Sequence, residues 1–345
     1  MRIFDRALLT GLTALAAATM VFTAYSQQSA DSANDTPYKV PRTSWGDPDL
    51  SGIWPGTAMV GVPMQRDEKL GTRNVLTDEE YVEREGQFAR QDVLDNADFD
   101  LENADSTPGG AVGGPVSPPP HWLERGDPQR QASLIIDPPN GRMPPMTDAG
   151  QARQAAVRQA SRGRGPADSY TDRSLYDRCI TRGMVGSLTP AIYNAGNQIV
   201  QSPGYVVITN EMIHEARVVP LDGRPPPGFA IKQWVGDSRG HFDGDTLVVE
   251  TTNFTDRTNV GQARHSDKLK ITERYTRVDD DTLVLRLTVE DAETWTAPWT
   301  LELPLQRDDS YGMFEYACHE GNLAMFNILS GHRADERAAA VAGRR

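Results

Sequence analysis

From about residue 195 to residue 318 the chain alternates short β-rich stretches with turn residues. "YVVIT" (205–209), "IHEARVV" (213–219), "QWVGDSRGHF" (233–242) and "TLVVETTNF" (246–254) come first; "KITERYTRV" (270–278), "TLVLRLTV" (282–289), "WTLELPL" (299–305) and "GMFEYAC" (312–318) follow. Each has the length and β-branched or aromatic content of a strand. The connections "LDGR", "DGD" and "VDDDT" are hairpin-like. In 282–289, Leu283, Leu285, Leu287 and Val289 share one face, with Arg286 and Thr288 on the other. That is the period-two pattern of a half-buried strand. Evenly spaced strands without intervening helices predict a mainly β fold: an antiparallel meander, closed as a barrel or folded as a sandwich.

The N-terminal half reads differently. Residues 77–92 are helical in pattern, with Thr77 and Glu80 spaced as a capping box. Residues 103–120, "NADSTPGGAVGGPVSPPP", are too rich in Gly, Pro and Ser for regular structure and are expected to lie poorly ordered on the surface. "ASLIIDPPNGRMPP" (132–145) is a short strand ended by a turn, and 147–161 reads as a second helix. The first residues, "MRIFDRALLTGLTALAAATMVFTAYSQQ", pair a short basic region with an apolar run and small residues, the pattern of a secretory signal peptide. The expected organisation is therefore a signal peptide (1–26), a long N-terminal arm (27–131) with one short helix, a β-barrel domain (132–330) and a C-terminal tail (331–345) that reads as a solvated, frayed helix.

Charge narrows the partners. The 345 residues carry a formal net charge of −13. An acidic chain without a basic stripe is a poor match for phosphate backbones and anionic membrane surfaces. Nucleic acid is therefore not expected as a partner, nor is a membrane span once the signal is removed. A periplasmic or secreted location follows from the leader. No Gly-rich phosphate loop, cysteine pair of zinc-ligand spacing or G-x-S-x-G elbow occurs, and no cofactor is expected from motifs.

The strings "WGDPDLSGIW", "GDSRGHFDGDTLVVETTNFTDRT" and "EYACHEGN" resemble a large group of uncharacterised secreted bacterial proteins, over residues 41 to 330. Gly52-Ile53-Trp54 is also similar to the G-x-W that opens lipocalin-like barrels. That resemblance implies a lipocalin-like closure and a small lipophilic molecule held in the barrel mouth. The long 57–195 region departs from a simple lipocalin and would cap or wrap the barrel.

Cys179 and Cys318 are the two cysteines. After a signal peptide they most simply pair as a disulfide. Closing a loop of about 140 residues stabilises by about 5 kcal/mol in the chain-entropy model. His319 follows Cys318 directly, but neighbours on a strand point to opposite faces, which argues against a Cys–His nucleophile. His214 shares its strand face with Ala216 and Val218, with Glu215 and Arg217 opposite. It is either a core histidine satisfied by a carbonyl or an imidazole facing a ligand cavity. In "WVGDSRGHFDGD", Asp237, Arg239, His241 and Asp243 share one face, and Trp234, Gly236, Ser238, Gly240 and Phe242 the other. The first row is either an acid/base site or a solvent face. If strands 213–219 and 233–242 pair and 312–318 closes the barrel beside them, His214, Arg239, His241 and His319 meet at one mouth as catalytic candidates. Glu215, Arg217, Trp234 and Asp237 would be ligand contacts there, and Tyr193 and Arg182, which flank the disulfide, further pocket candidates. The three histidines with Glu215 or Asp243 also offer a zinc set, without supporting local spacing.

Three functions fit these patterns: a binding protein for a small apolar or amphipathic molecule, an acid/base enzyme (hydrolase, lyase or isomerase) acting on such a molecule, or an envelope protein whose arm docks a partner. Convergence of titratable side chains in a pocket discriminates the second from the first.

Overall fold

Why the apolar alternation produces two sheets rather than one is visible in the connections. The computed structural model describes residues 38–95 and 123–343. The expected signal segment and the Gly/Pro-rich stretch 103–120 lie outside them. The strands in chain order are β1 (Gly52–Ile53), β2 (Ile135–Asp137), β3 (Asn197–Ser202), β4 (Tyr205–Asn210), β5 (Glu215–Pro220), β6 (Asp237–Asp243), β7 (Thr246–Thr252), β8 (Asn259–Val260), β9 (Ala263–Arg264), β10 (Lys270–Arg277), β11 (Thr282–Glu290) and β12 (Trp299–Gln306). All pair antiparallel. The order is β2-β12-β11-β10-β7-β6 in a six-stranded sheet and β1-β3-β4-β5 in a four-stranded one, with β8 and β9 as a separate pair. The α-helices among the described residues are α1 (Asp78–Asp95), α2 (Asp148–Ala160), α3 (Met184–Leu188) and α4 (Leu323–Ala342).

The chain is thus mainly β and antiparallel, as its pattern predicts. Among the described residues the ladders do not run round a closed barrel. Strands 213–219 and 233–242 do not pair: the connection through Pro225, Pro226 and Pro227 carries the chain from one sheet to the other. The sheets meet there by packing. A Cβ on Gly240 would stand 2.7 Å from Val219 Cγ1 and 2.9 Å from Leu221 Cδ2, so glycine is what lets β6 approach β5 this closely.

One apolar cluster joins the two sheets. Ile199, Val206, Ile208 and Val219 from the smaller sheet pack with Leu247, Ile271, Leu285, Leu287, Leu301 and Leu303 from the larger. The expected face of β11 is buried: Leu283, Leu285, Leu287 and Val289 are all 0% exposed. The N-terminal arm is not separate from this core. Leu50, Trp54 and Met59 are fully buried, and β1 pairs with β3. The 312–318 stretch forms no strand, because its backbone is taken up by side chains and turns described below. The solvated helix expected at the C-terminus forms the second half of α4, which runs to Ala342 without a buried residue. Both expected helices form. Thr77 N donates to Glu80 Oε2 (2.9 Å) and Glu80 N to Thr77 Oγ1 (3.3 Å), completing the capping box of α1. Thr147 caps α2 through Gly150 N.

Candidate functional site

β5 inverts the face assigned to it from its sequence. Ile213 and His214 both have positive φ (63° and 42°) in the turn from β4. This turn resets the strand so that Arg217 and Val219 are buried while Ala216 and Val218 are exposed. Arg217 crosses between the sheets to Glu273 of β10, at 2.7 and 2.8 Å through both terminal nitrogens. The side chains are 4% and 0% exposed. Tyr275 donates to the same carboxylate at 2.6 Å. Burial by itself lowers the Arg217 pKa; the facing Glu273 carboxylate more than offsets it and holds the guanidinium above its ordinary value. Arg217 is therefore committed to the interior rather than to a ligand.

Glu215, two residues earlier, has a different environment. It accepts from Thr181 Oγ1 (3.0 Å) and Ser187 Oγ (3.1 Å). Burial raises its pKa, and the two hydroxyls only partly counter that. Ser187 sits on α3, which Gly183 starts with φ 74°.

Ser187 also lines a shallow cleft open to solvent, with free space of about 10 Å³, together with Arg182, Leu188, Pro190, Asn194 and Met212. Beside it runs a chain of phenols. Tyr193 and Tyr316 hydroxyls each lie 2.7 Å from the Tyr176 hydroxyl, which also points at Met212 Sδ (3.6 Å). Burial raises the Tyr176 and Tyr316 pKa values, so these hydroxyls keep their protons at neutral pH. The Arg182 guanidinium lies over the Tyr176 ring, 5.3 Å from its centroid. Among the described residues Arg182 makes no ion pair with a carboxylate.

The 311–318 segment packs over the loop that carries Asn194 and Gly196, held by several anchors. Glu211, 1% exposed, accepts from Asn194 Nδ2, Gly196 N, Tyr311 Oη and Phe314 N. Tyr311 Oη lies 2.8 Å from Glu124 as well, and burial followed by these two carboxylates raises its pKa. Glu124 in turn accepts from Asn194 N and Ala195 N. A side chain on Gly196 would collide with Met313 Sδ at 2.4 Å and Glu211 Oε2 at 2.7 Å, so the segment closes only over a glycine. Cys179 and Cys318 are bonded, with Cα atoms 5.6 Å apart. His214 Nδ1 meets the Tyr316 carbonyl at 2.7 Å.

The expected mouth of histidines does not assemble. His214 belongs to the β4–β5 turn and is exposed, with its ring on the Tyr316 backbone. His319 is exposed three residues beyond Tyr316. His241 is exposed on β6, next to Gly240, which packs against Val219. Val219 is five positions along β5 from His214, about 17 Å at strand rise. Arg239 and Asp237 pair with each other at 2.6 Å on the outward face of β6, and Asp243 pairs with Arg274. Trp234 is half-buried before β6. Of the residues named from sequence, Tyr193, Glu215, Arg182 and the disulfide come together at or beside the cleft. Tyr176, Tyr316, Ser187, Asn194, Glu211 and Glu124 were not singled out. They stand in loops or short helices, where no period marks a face.

In comparisons with protein-family models, curated proteins and solved structures, nothing matches this chain.

Proposed function

We propose that the cleft receives the anionic group of a small molecule whose modest apolar body lies over its open rim, and that the protein is an exported binding protein for it. The observation that carries this is Arg182: a half-buried cation in a cleft wall, without a carboxylate partner among the described residues, beside a row of phenol hydroxyls. Guanidinium and hydroxyl donors are what recognise a carboxylate, and Leu188, Pro190 and Met212 provide the apolar wall. A ligand inside the sheets is a weaker fit, because Trp54, Trp299, Tyr275 and Phe254 fill that interior. We read the sheets as an opened, lipocalin-like arrangement. β5 packs beside β6, and Asp308 N donates to Ile53 O at 3.0 Å, where a closed sheet would carry ladders. The disulfide supports export to the periplasm or beyond. No helix among the described residues is long and apolar enough to cross a membrane.

The test is calorimetric titration with benzoate, an aromatic monocarboxylate, of the wild type and Arg182→Gln. A hydrogen-bonded charge is worth about 1.5–3 kcal/mol, so the variant should bind at least about tenfold more weakly. Undetectable binding by the wild type, or equal binding by both, would sink the proposal. A second reading is favoured by Glu215. Its buried carboxyl reaches the cleft wall through the Ser187 hydroxyl, a route for a proton to or from a bound molecule. An enzyme of this kind would lose turnover but keep binding in Glu215→Gln; bound ligand recovered unchanged after long incubation rejects it.

A further inference from the structure

Helix α4 has no buried residue along its length. What ties its middle to the body is polar. His332 Nε2 lies 2.9 Å from Asp168 Oδ1, in the loop after α2, and 3.6 Å from Glu336 Oε1, one turn along the helix. Arg333 donates to the main-chain carbonyls of Asp168 and Ala167, at 3.1 Å each.

Each carboxylate has one oxygen engaged elsewhere. Gly165 N donates to Asp168 Oδ2 at 2.7 Å, and Arg333 Nε stands 2.9 Å from Glu336 Oε2. The other oxygen of each turns toward the imidazole, and the three donor atoms lie within 4.8 Å of one another. Ligands at zinc distances of about 2.1 Å in a tetrahedral shell stand about 3.4 Å apart. The two separations, 2.9 and 3.6 Å, fall on either side of that value. We infer that Asp168, His332 and Glu336 bind one zinc ion, water completing the shell, and that the ion staples α4 to the 165–172 loop. On binding, His332 coordinates through Nε2, its ring proton sits on Nδ1, and any proton on Nε2 is released to solvent. Arg333 Nη2, 4.0 Å from Asp168 Oδ1, adds a repulsion that keeps the site weaker than a four-ligand structural one. The site shares no residue with the cleft, so it stands or falls independently of the proposed function.

The experiment uses the chelator-stripped, disulfide-bonded chain, titrated with zinc chloride by calorimetry while hydrogen exchange is followed along α4. One zinc per chain is expected, with slower exchange around His332. His332→Ala and Glu336→Gln should each weaken binding at least tenfold; both residues lie on a helix without buried positions, so unchanged circular dichroism is expected of the variants. His241→Ala, on another face, should bind like the wild type. Calcium, a poor partner for imidazole, should not compete at equal concentration. Absence of zinc binding, binding undiminished in His332→Ala, binding lost in His241→Ala, or equal competition by calcium would each overturn the inference.

Discussion

Removing one member of the Arg217–Glu273 pair tests how the two sheets are coupled. Glu273 occupies the inward face of β10, between Val249 and Leu287 on the neighbouring strands. With a side chain 0% exposed, it has Arg217 and the Tyr275 hydroxyl as its donors. Arg217→Met would fill much of the same volume and leave a buried carboxylate with one hydroxyl. Breaking a buried pair this way costs about 3–5 kcal/mol. Arg217→Met with Glu273→Leu should lose far less, about 1–2 kcal/mol, mainly the now unpaired Tyr275 hydroxyl. The singles and the double thus define a coupling of several kcal/mol. Urea unfolding at pH 7 with the disulfide intact, followed by circular dichroism and tryptophan fluorescence, measures it. Salt should leave the difference nearly unchanged, because the pair is shielded from solvent ions. A loss below about 1 kcal/mol for Arg217→Met, or a double variant as unstable as the two singles added, would refute the idea of a desolvated bridge between the sheets.

Two further predictions follow from the cleft. Reducing the Cys179–Cys318 bond, whose partners are 139 positions apart, should destabilise by about 5 kcal/mol and weaken benzoate binding; a reduced protein with the melting temperature of the oxidised one contradicts this. Glu215 gives a pH dependence: its folded pKa is raised, so the folded state holds its proton longer than the unfolded chain does. Stability therefore falls as pH rises from the unfolded value through the folded one. Glu215→Gln should match the wild type below that window and be the more stable protein above it; a variant less stable at neutral pH than at acid pH, relative to the wild type, reverses the sign and rejects the assignment.

What was legible in the sequence was what repeats. Period two located β4 to β7 and β10 to β12, and the burial of Leu283, Leu285, Leu287 and Val289 follows directly from it. Capping chemistry located α1 and α2. The cleft was legible only at its margins, through the cysteine pair, Tyr193 and Arg182. Two local facts hid the rest. The left-handed pair Ile213–His214 shifts the phase of β5, and nothing in "MIHEARVV" announces a β-branched residue in that region. The 312–318 stretch has the composition of a strand, but Glu211 takes the Phe314 amide and the disulfide fixes its end. Partners distant in sequence decide such a segment, and alternation cannot register them.

Backbone strain bears on why the chemistry gathers at this cleft. Among the described residues five that are not glycine have positive φ, and four of them, Cys179, Asn194, Ile213 and His214, belong to the walls of the cleft or the turns beside it. Each such conformation costs on the order of 1–3 kcal/mol and persists only where its surroundings over-determine it. The anchors are of matching size. The disulfide contributes about 5 kcal/mol, and hydrogen bonds to a charged group such as Glu211 contribute about 1.5–3 kcal/mol each. Neither sheet needs these anchors for its own ladders, since β10 to β12 are held by the apolar cluster. The cleft is therefore the part of the protein whose geometry is maintained locally, against strain, by residues that add little to the core. Loss of one of the Glu211 hydrogen bonds should loosen the 311–318 segment and the β4–β5 turn while the six-stranded sheet stays intact, so that binding fails before folding does.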